Sequence, residues 1–197
     1  MKKIMPILLL IFFALTLSGC GGSGINYKST TEDVGARTTA SYDSYKKLTT
    51  IRGPRVDISG ALITNLSGSN YYFIRAWKYK SGEENYQIYV SKKHTAGDYY
   101  GVQGYKNYYS ATNSEGSELK FTKIDSDFDV SCYSGTYSTS CSKYYREDFG
   151  IDLSRQDVNA GLQNKIDIKV YSKSGGNFII NISPNYINAI LDKIDVN

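Results

Sequence analysis

The sequence predicts a β-rich α+β fold: mainly antiparallel sheet or sandwich, closed by two short helices near the C-terminus. Three observations predict it. Many segments alternate apolar and polar side chains with a period of two, the pattern of a half-buried strand. Past residue 19 the chain holds 16 Ile and only 7 Leu, alongside 19 Tyr, and branched and aromatic side chains suit a pleated surface better than a helix. Strands come first and helices last, without alternating strand–helix units, which argues against a parallel α/β sheet.

Residues 21–41, GGSGINYKSTTEDVGARTTAS, carry few apolar groups and much Gly, Ser and Thr. They are expected to form a flexible tether spanning roughly 25 Å end to end. The folded part is expected over residues 42–197 as one β-rich domain, long enough for a real core. Its first segment, YDSYKKLTTIRGP, holds one short strand, with Arg52-Gly53-Pro54 as a breaker. RVDISGALITNL then alternates through Val56, Ile58, Gly60 and Leu62, and Gly68 marks a turn. NYYFIRAWKYK is apolar on both faces, with Phe73, Trp77 and Tyr79 on one and Tyr72, Ile74 and Ala76 on the other, as in a central strand. Ser81-Gly82 turns the chain into NYQIYVSKK, making a hairpin. Residues 94–117 contain four Gly and five Tyr and are expected as a long loop with one strand near Tyr105–Ala111.

ELKFTKIDSDFDVSC returns to strand, and KYYREDFGIDL alternates through Tyr145, Glu147, Phe149, Ile151 and Leu153. Ser154 opens a helix of the form Ser-x-x-Asp with Asp157, a spacing that caps free amide groups. KIDIKVYS and FIINIS flank Ser174-Gly175-Gly176-Asn177, a strong hairpin signature. Ser183-Pro184 starts the last helix, with Ser as cap and Pro at the first helical position. Tyr186, Ile187, Ile190, Leu191 and Ile194 form one apolar stripe along it, expected to pack on the sheet.

Charge excludes one class of partner. The chain has 23 basic and 19 acidic residues; without Lys2 and Lys3 the balance is 21 against 19, too mild for nucleic acid. Two local basic clusters, Arg75-Lys78-Lys80 and Lys92-Lys93-His94, read either as solvated strand faces or as contacts for anionic lipid headgroups or glycan phosphates.

Residues 1–19 read as a secretion signal: two lysines, fourteen nearly all-apolar residues from Ile4 to Leu17, then small Ser18-Gly19. The apolar run is short for a bilayer span. The block Leu17-Ser18-Gly19-Cys20 resembles the lipobox of bacterial lipoproteins. The resemblance implies cleavage before Cys20 and acylation of that cysteine, so the membrane becomes a partner through two or three fatty chains. Gly21 rather than Asp after the cysteine implies the outer membrane, or the cell membrane in a Gram-positive host. An ordinary cleaved signal is the plainer alternative. Acylation of Cys20 leaves Cys132 and Cys141 as an even pair in an oxidising compartment, expected as a disulfide worth about 2–3 kcal/mol. The rest of the chain resembles β-rich single-domain proteins of bacterial envelopes, which implies no particular activity.

Catalytic and metal signals are weak. The only histidine is His94, in KKHTAG, placed on a loop without a nucleophile motif nearby. There is no Gly-x-Ser-x-Gly, phosphate loop or dinucleotide fingerprint, so no enzyme activity and no cofactor is expected. Asp125-Ser126-Asp127-Phe128-Asp129 begins like a calcium loop but lacks its Gly and Glu, so no metal is expected and the carboxylates read as a strand's outer face. Tyrosine supplies the candidate binding surface: Tyr99, Tyr100, Tyr105, Tyr108 and Tyr109 lie among Gly, Ser and Asn, a composition used where rigid rings make contacts. Ser67-Gly68-Ser69-Asn70-Tyr71 resembles the Ser-Gly-x-x-Tyr signature of membrane-bound inhibitors of c-type lysozymes, although their second motif is missing. The function expected is a lipid-anchored, non-enzymatic envelope module that binds or scaffolds another envelope protein. The alternatives are an inhibitor of a cell-wall hydrolase such as lysozyme and a hydrolase without a familiar motif. Mass spectrometry of the purified mature protein checks the anchor: a chain beginning at acylated Cys20 is expected, and a free thiol or an intact leader would contradict it.

Overall fold

A computed structural model of the chain describes residues 24–58, 70–96, 104–136 and 138–196. The strands are β1 (Thr39–Asp43), β2 (Leu48–Arg52), β3 (Val56–Asp57), β4 (Tyr71–Tyr79), β5 (Glu84–Ala96), β6 (Tyr108–Asn113), β7 (Glu118–Leu119), β8 (Phe121–Ser134), β9 (Thr139–Leu153), β10 (Ile166–Ser172) and β11 (Phe178–Ile182). The helices are α1 (Thr31–Arg37), α2 (Arg155–Gly161) and α3 (Pro184–Val196). One antiparallel sheet has the order β1-β2-β4-β5-β9-β8, with β3 pairing β4 beyond the end of β2. A second sheet has the order β11-β10-β6-β7. The expected sheet-dominated α+β class is what the chain adopts.

Alternation explains most of these elements. In β4, Tyr72, Ile74 and Ala76 are buried against α3 and the core, as the period of two requires. The expected hairpins form, β4 with β5 and β10 with β11. Ser154 and Asp157 make the reciprocal cap of α2, and Tyr186 N–H donates to Ser183 Oγ at the start of α3 (3.2 Å). The stripe on α3 is buried: Tyr186, Ile187, Ile190, Leu191 and Ile194. Cys132 and Cys141 face each other across the β8–β9 hairpin and are disulfide-bonded. Among the described residues, no helix is long and apolar enough to cross a membrane.

Three expectations change. Residues 24–41 are not a tether. Ile25 is buried and bridges Val56 in parallel, α1 follows, and β1 forms the sheet edge. The folded unit therefore already includes Ile25, well before Tyr42, and the described residues form three helices rather than two. The physical reason is economy of anchors: two apolar side chains, Ile25 and Val34, are buried, and a Thr30–Asp33 capping box satisfies the helix start. YDSYKKLTTIRGP supplies parts of two strands, β1 and β2, rather than one. The loop expected from residue 94 starts later, because β5 runs to Ala96 alongside β9, and β6 spans residues 108–113. Residues 97–103, and most of the alternating segment around residues 59–69, lie outside the described residues.

The join between the first sheet and α3 turns on Tyr186, which is 2% exposed. Between β2 and β3 the ladder is interrupted at Gly53-Pro54-Arg55. Gly53 N–H still donates to Ile74 O (2.8 Å), but Ile74 N–H donates instead to the Tyr186 hydroxyl (3.3 Å). That hydroxyl donates in turn to Pro54 O (2.7 Å). Gly53 is required by this close approach, since a Cβ there would lie 2.2 Å from the hydroxyl. Burial holds the phenol well above its ordinary pKa, so it remains a donor. Tyr186→Phe removes both bonds and strands two backbone groups. The expected loss is about 3 kcal/mol by urea unfolding, and a loss below about 0.5 kcal/mol would show that water replaces the hydroxyl.

Candidate functional site

The interruption at Gly53-Pro54 has a second effect. Strict alternation would put residues three apart on opposite faces. Across the interruption, Arg52 and Arg55 both lie on the face turned away from α3. The Arg52 guanidinium sits 4.3 Å from the Phe73 ring centre, and the Arg55 guanidinium 4.2 Å from that of Tyr71. Tyr71 and Phe73 stack on each other along β4 (6.4 Å), and Phe73 stacks on Tyr89 of β5 (4.8 Å). Arg75, next along β4, lies 5.0 Å from Trp77 and 5.3 Å from Tyr89. Guanidinium groups over aromatic faces are held flat with their N–H edges pointing outward.

A polar row supports this floor. Arg75 Nε donates to Gln87 Oε1 (2.9 Å), a second guanidinium nitrogen reaches the same oxygen, and Gln87 Nε2 donates to Asp152 Oδ1 (2.5 Å). Lys120 pairs with Asp152 at 2.9 Å. The Gln87 amide lies flat over Gly150 of β9, where a Cβ would come within 2.4 Å of it. Tyr89 donates to Asp148 (2.8 Å), which also faces Arg146. Among the described residues, Arg52, Arg55 and Arg75 make no ion pair, whereas Arg146 meets Asp125, Asp127 and Asp148. The Arg75 pKa is lowered, first by burial and further by the nearby Arg52, against the pull of Tyr89 and Asp152. Arg52 and Arg55 thus bring positive charge to this end of the sheet without an ion pair among the described residues, while Asp152 partly offsets Arg75 across Gln87.

Sequence reasoning only partly anticipated the site. It placed Phe73 and Trp77 on one face and noted Arg75. It grouped Arg75 with Lys78 and Lys80, but Lys78 points to the opposite face and donates to Ile194 O at the end of α3 (2.8 Å). The second cluster divides likewise. Lys92 lies over Phe178, and burial lowers its pKa, with Asp57 opposing; Lys93 lies over Tyr144.

The tyrosine surface is corrected. Tyr108 is 8% exposed and packs on Phe149 and Phe178, so it belongs to the core. Tyr105 is half-buried, edge-on to Tyr145. Tyr109 is exposed. Tyr99 and Tyr100 lie outside the described residues, as do Ser67, Gly68 and Ser69 of the inhibitor-like motif; its Tyr71 lies under Arg55. The reason for Tyr108 is the β6–β10 pairing, which turns that ring toward β9.

His94 is likewise not on a loop. It occupies β5, half-buried and stacked on Tyr145, with Nε2 at 2.9 Å from Gly104 O. Among the described residues it has no hydrogen bond to a carboxylate or hydroxyl. Glu147, 2% exposed, accepts from the backbone N–H groups of Lys106 (2.7 Å) and Tyr108 (3.3 Å), fastening the segment that enters β6. Asp125, Asp127 and Asp129 lie on the exposed edge strand β8, where charges discourage pairing with another strand. The described residues contain no group of three or more His, Cys, Asp or Glu side chains placed to hold a metal ion.

No protein-family model matches this chain, and no curated protein matches it in sequence.

Two phenols report on this architecture. Tyr89 is pushed up to about 12 by burial and then by its bond to Asp148, and Tyr108 to about 12 by burial and then by the charge of Glu147. Both are held neutral by the fold, against an unfolded value of about 10. Their contribution to stability is complete below pH about 10 and is lost as pH rises toward about 12. The urea midpoint should therefore fall across that window, with Tyr89→Phe flattening the decline. A midpoint constant from pH about 10 to about 12 would contradict this.

Proposed function

We propose that this protein is a lipid-anchored, non-enzymatic component of the bacterial envelope that binds an anionic partner on the arginine–aromatic face of its larger sheet. The anchor is Cys20, and Gly21 directs the mature protein to the outer membrane. One observation carries the binding assignment. Arg52, Arg55 and Arg75 are laid over Tyr71, Phe73 and Trp77 with no carboxylate partner among the described residues. Holding like charges together costs free energy, and an anion that bridges them recovers it. Guanidinium edges match phosphate or carboxylate oxygens in pairs, and the rings beneath keep them flat before the partner arrives.

The partner is an anionic envelope constituent rather than a surface gripped by the tyrosines near residues 99–109, because Tyr108 is committed to the core. The test is retention of the detergent-solubilised mature protein on phosphocellulose. Arg52→Gln/Arg55→Gln should elute at clearly lower salt than wild type. Lys46→Gln/Lys80→Gln removes the same charge from exposed positions elsewhere and should elute nearer to wild type. Equal shifts for the two double variants would reduce the effect to net charge and overturn the assignment.

A further inference from the structure

The membrane anchor and the arginine face are close together. Ile25 is buried and bridges Val56, and Arg55 is the residue before Val56. Only Gly21, Gly22, Ser23 and Gly24 separate Cys20 from Ile25. That link reaches at most about 17 Å when fully extended. Neighbouring strands lie about 5 Å apart, so Arg55 adds little to that distance. A domain starting at Tyr42 would have stood well clear of the bilayer, whereas one starting at Ile25 rests beside it.

We propose that the Arg52–Arg55–Arg75 face docks on the phosphate groups of anionic phospholipid headgroups in the same membrane that holds the acylated Cys20. The inference rests on the anchored, anion-binding reading above and names its partner. Two features select this occupant. The first is charge complementarity: three guanidinium groups without ion pairs among the described residues meet a surface of phosphates. The second is the short link, which keeps Arg55 near the headgroup layer; the attraction acts over a Debye length of about 8 Å at physiological salt. The domain would then lie with this sheet face against the bilayer.

Trp77, the only tryptophan, makes this measurable, since it lies 5.0 Å from the Arg75 guanidinium. The acylated mature protein is reconstituted into phosphatidylcholine vesicles with or without phosphatidylglycerol, each carrying a headgroup nitroxide. Trp77 emission should be quenched more strongly in the anionic vesicles. Salt raised from about 0.1 M to about 1 M should remove the difference, as the Debye length falls from about 10 Å to about 3 Å. Arg52→Gln/Arg55→Gln should lower quenching in anionic vesicles to the neutral level while leaving the protein vesicle-bound. Should that variant misfold, the salt series on the wild type decides alone. Equal quenching in both vesicle types, or no response to salt, overturns the membrane assignment. Release of the protein from vesicles on dilution would instead sink the anchor. Retention on phosphocellulose without lipid-dependent quenching leaves the anion site standing and assigns it to a soluble or glycan-borne phosphate.

Discussion

The Tyr186 hydroxyl is the constraint on which the rest of the structure depends. It replaces a ladder partner for Ile74 N–H where β2 gives way to β3, and it donates its own hydrogen bond to Pro54 O. A break in a sheet normally leaves backbone groups unpaired, at a cost of about 1–3 kcal/mol each. Here a helix side chain closes the gap. The same contact docks α3 on the sheet and demands glycine at position 53, at the point where an extra residue opposite β4 shifts the strand's phase so that Arg52 and Arg55 share a face. One buried phenol thereby links the packing of the core to the chemistry of the opposite surface.

That surface illustrates how a sheet can concentrate charge. Stacking on Phe73 and Tyr71 screens one side of the Arg52 and Arg55 guanidinium groups from water, whereas Arg75 also turns an N–H edge to Gln87. Gln87 neutralises no charge but fixes the position of Arg75, and Gly150 gives the amide room to lie flat. Asp152 offsets Arg75 across Gln87, and three further carboxylates surround Arg146 farther along the sheet. The face is therefore graded, more positive at Arg52 and Arg55 and compensated toward β8. On the other side of the sheet, Glu147 shows a buried carboxylate used structurally, with both oxygens turned to backbone N–H groups.

Particular residues show where sequence reasoning reached and where it stopped. The hairpins at 71–96 and 166–182 were legible because alternation and turn residues agree there. The caps of α2 and α3 were legible because Ser-x-x-Asp and Ser-Pro are local signals. Glu147 was read as one position in an alternating strand, and only the approach of residues 106–108 gives it two donors. Helix α1 was missed although Thr30-x-x-Asp33 has the same capping form as Ser154-x-x-Asp157. A low density of apolar residues outweighed that local signal, yet two well-placed anchors were enough once α3 offered a surface.

By itself the sequence determined the strand-dominated class, the hairpins at 71–96 and 166–182 and the pairing of Cys132 with Cys141. Each of these depends on residues near one another in the chain or on simple counting. Only the tertiary structure decided that Tyr108 is core, that Lys78 and Arg75 face opposite sides, and that Arg52 and Arg55 face the same one. Those outcomes depend on strand pairing and on an extra residue between β2 and β3 whose backbone Tyr186 satisfies, more than 130 residues from Pro54 in the chain. No local pattern encodes a contact of that range, because it forms only when the sheet and the last helix pack together.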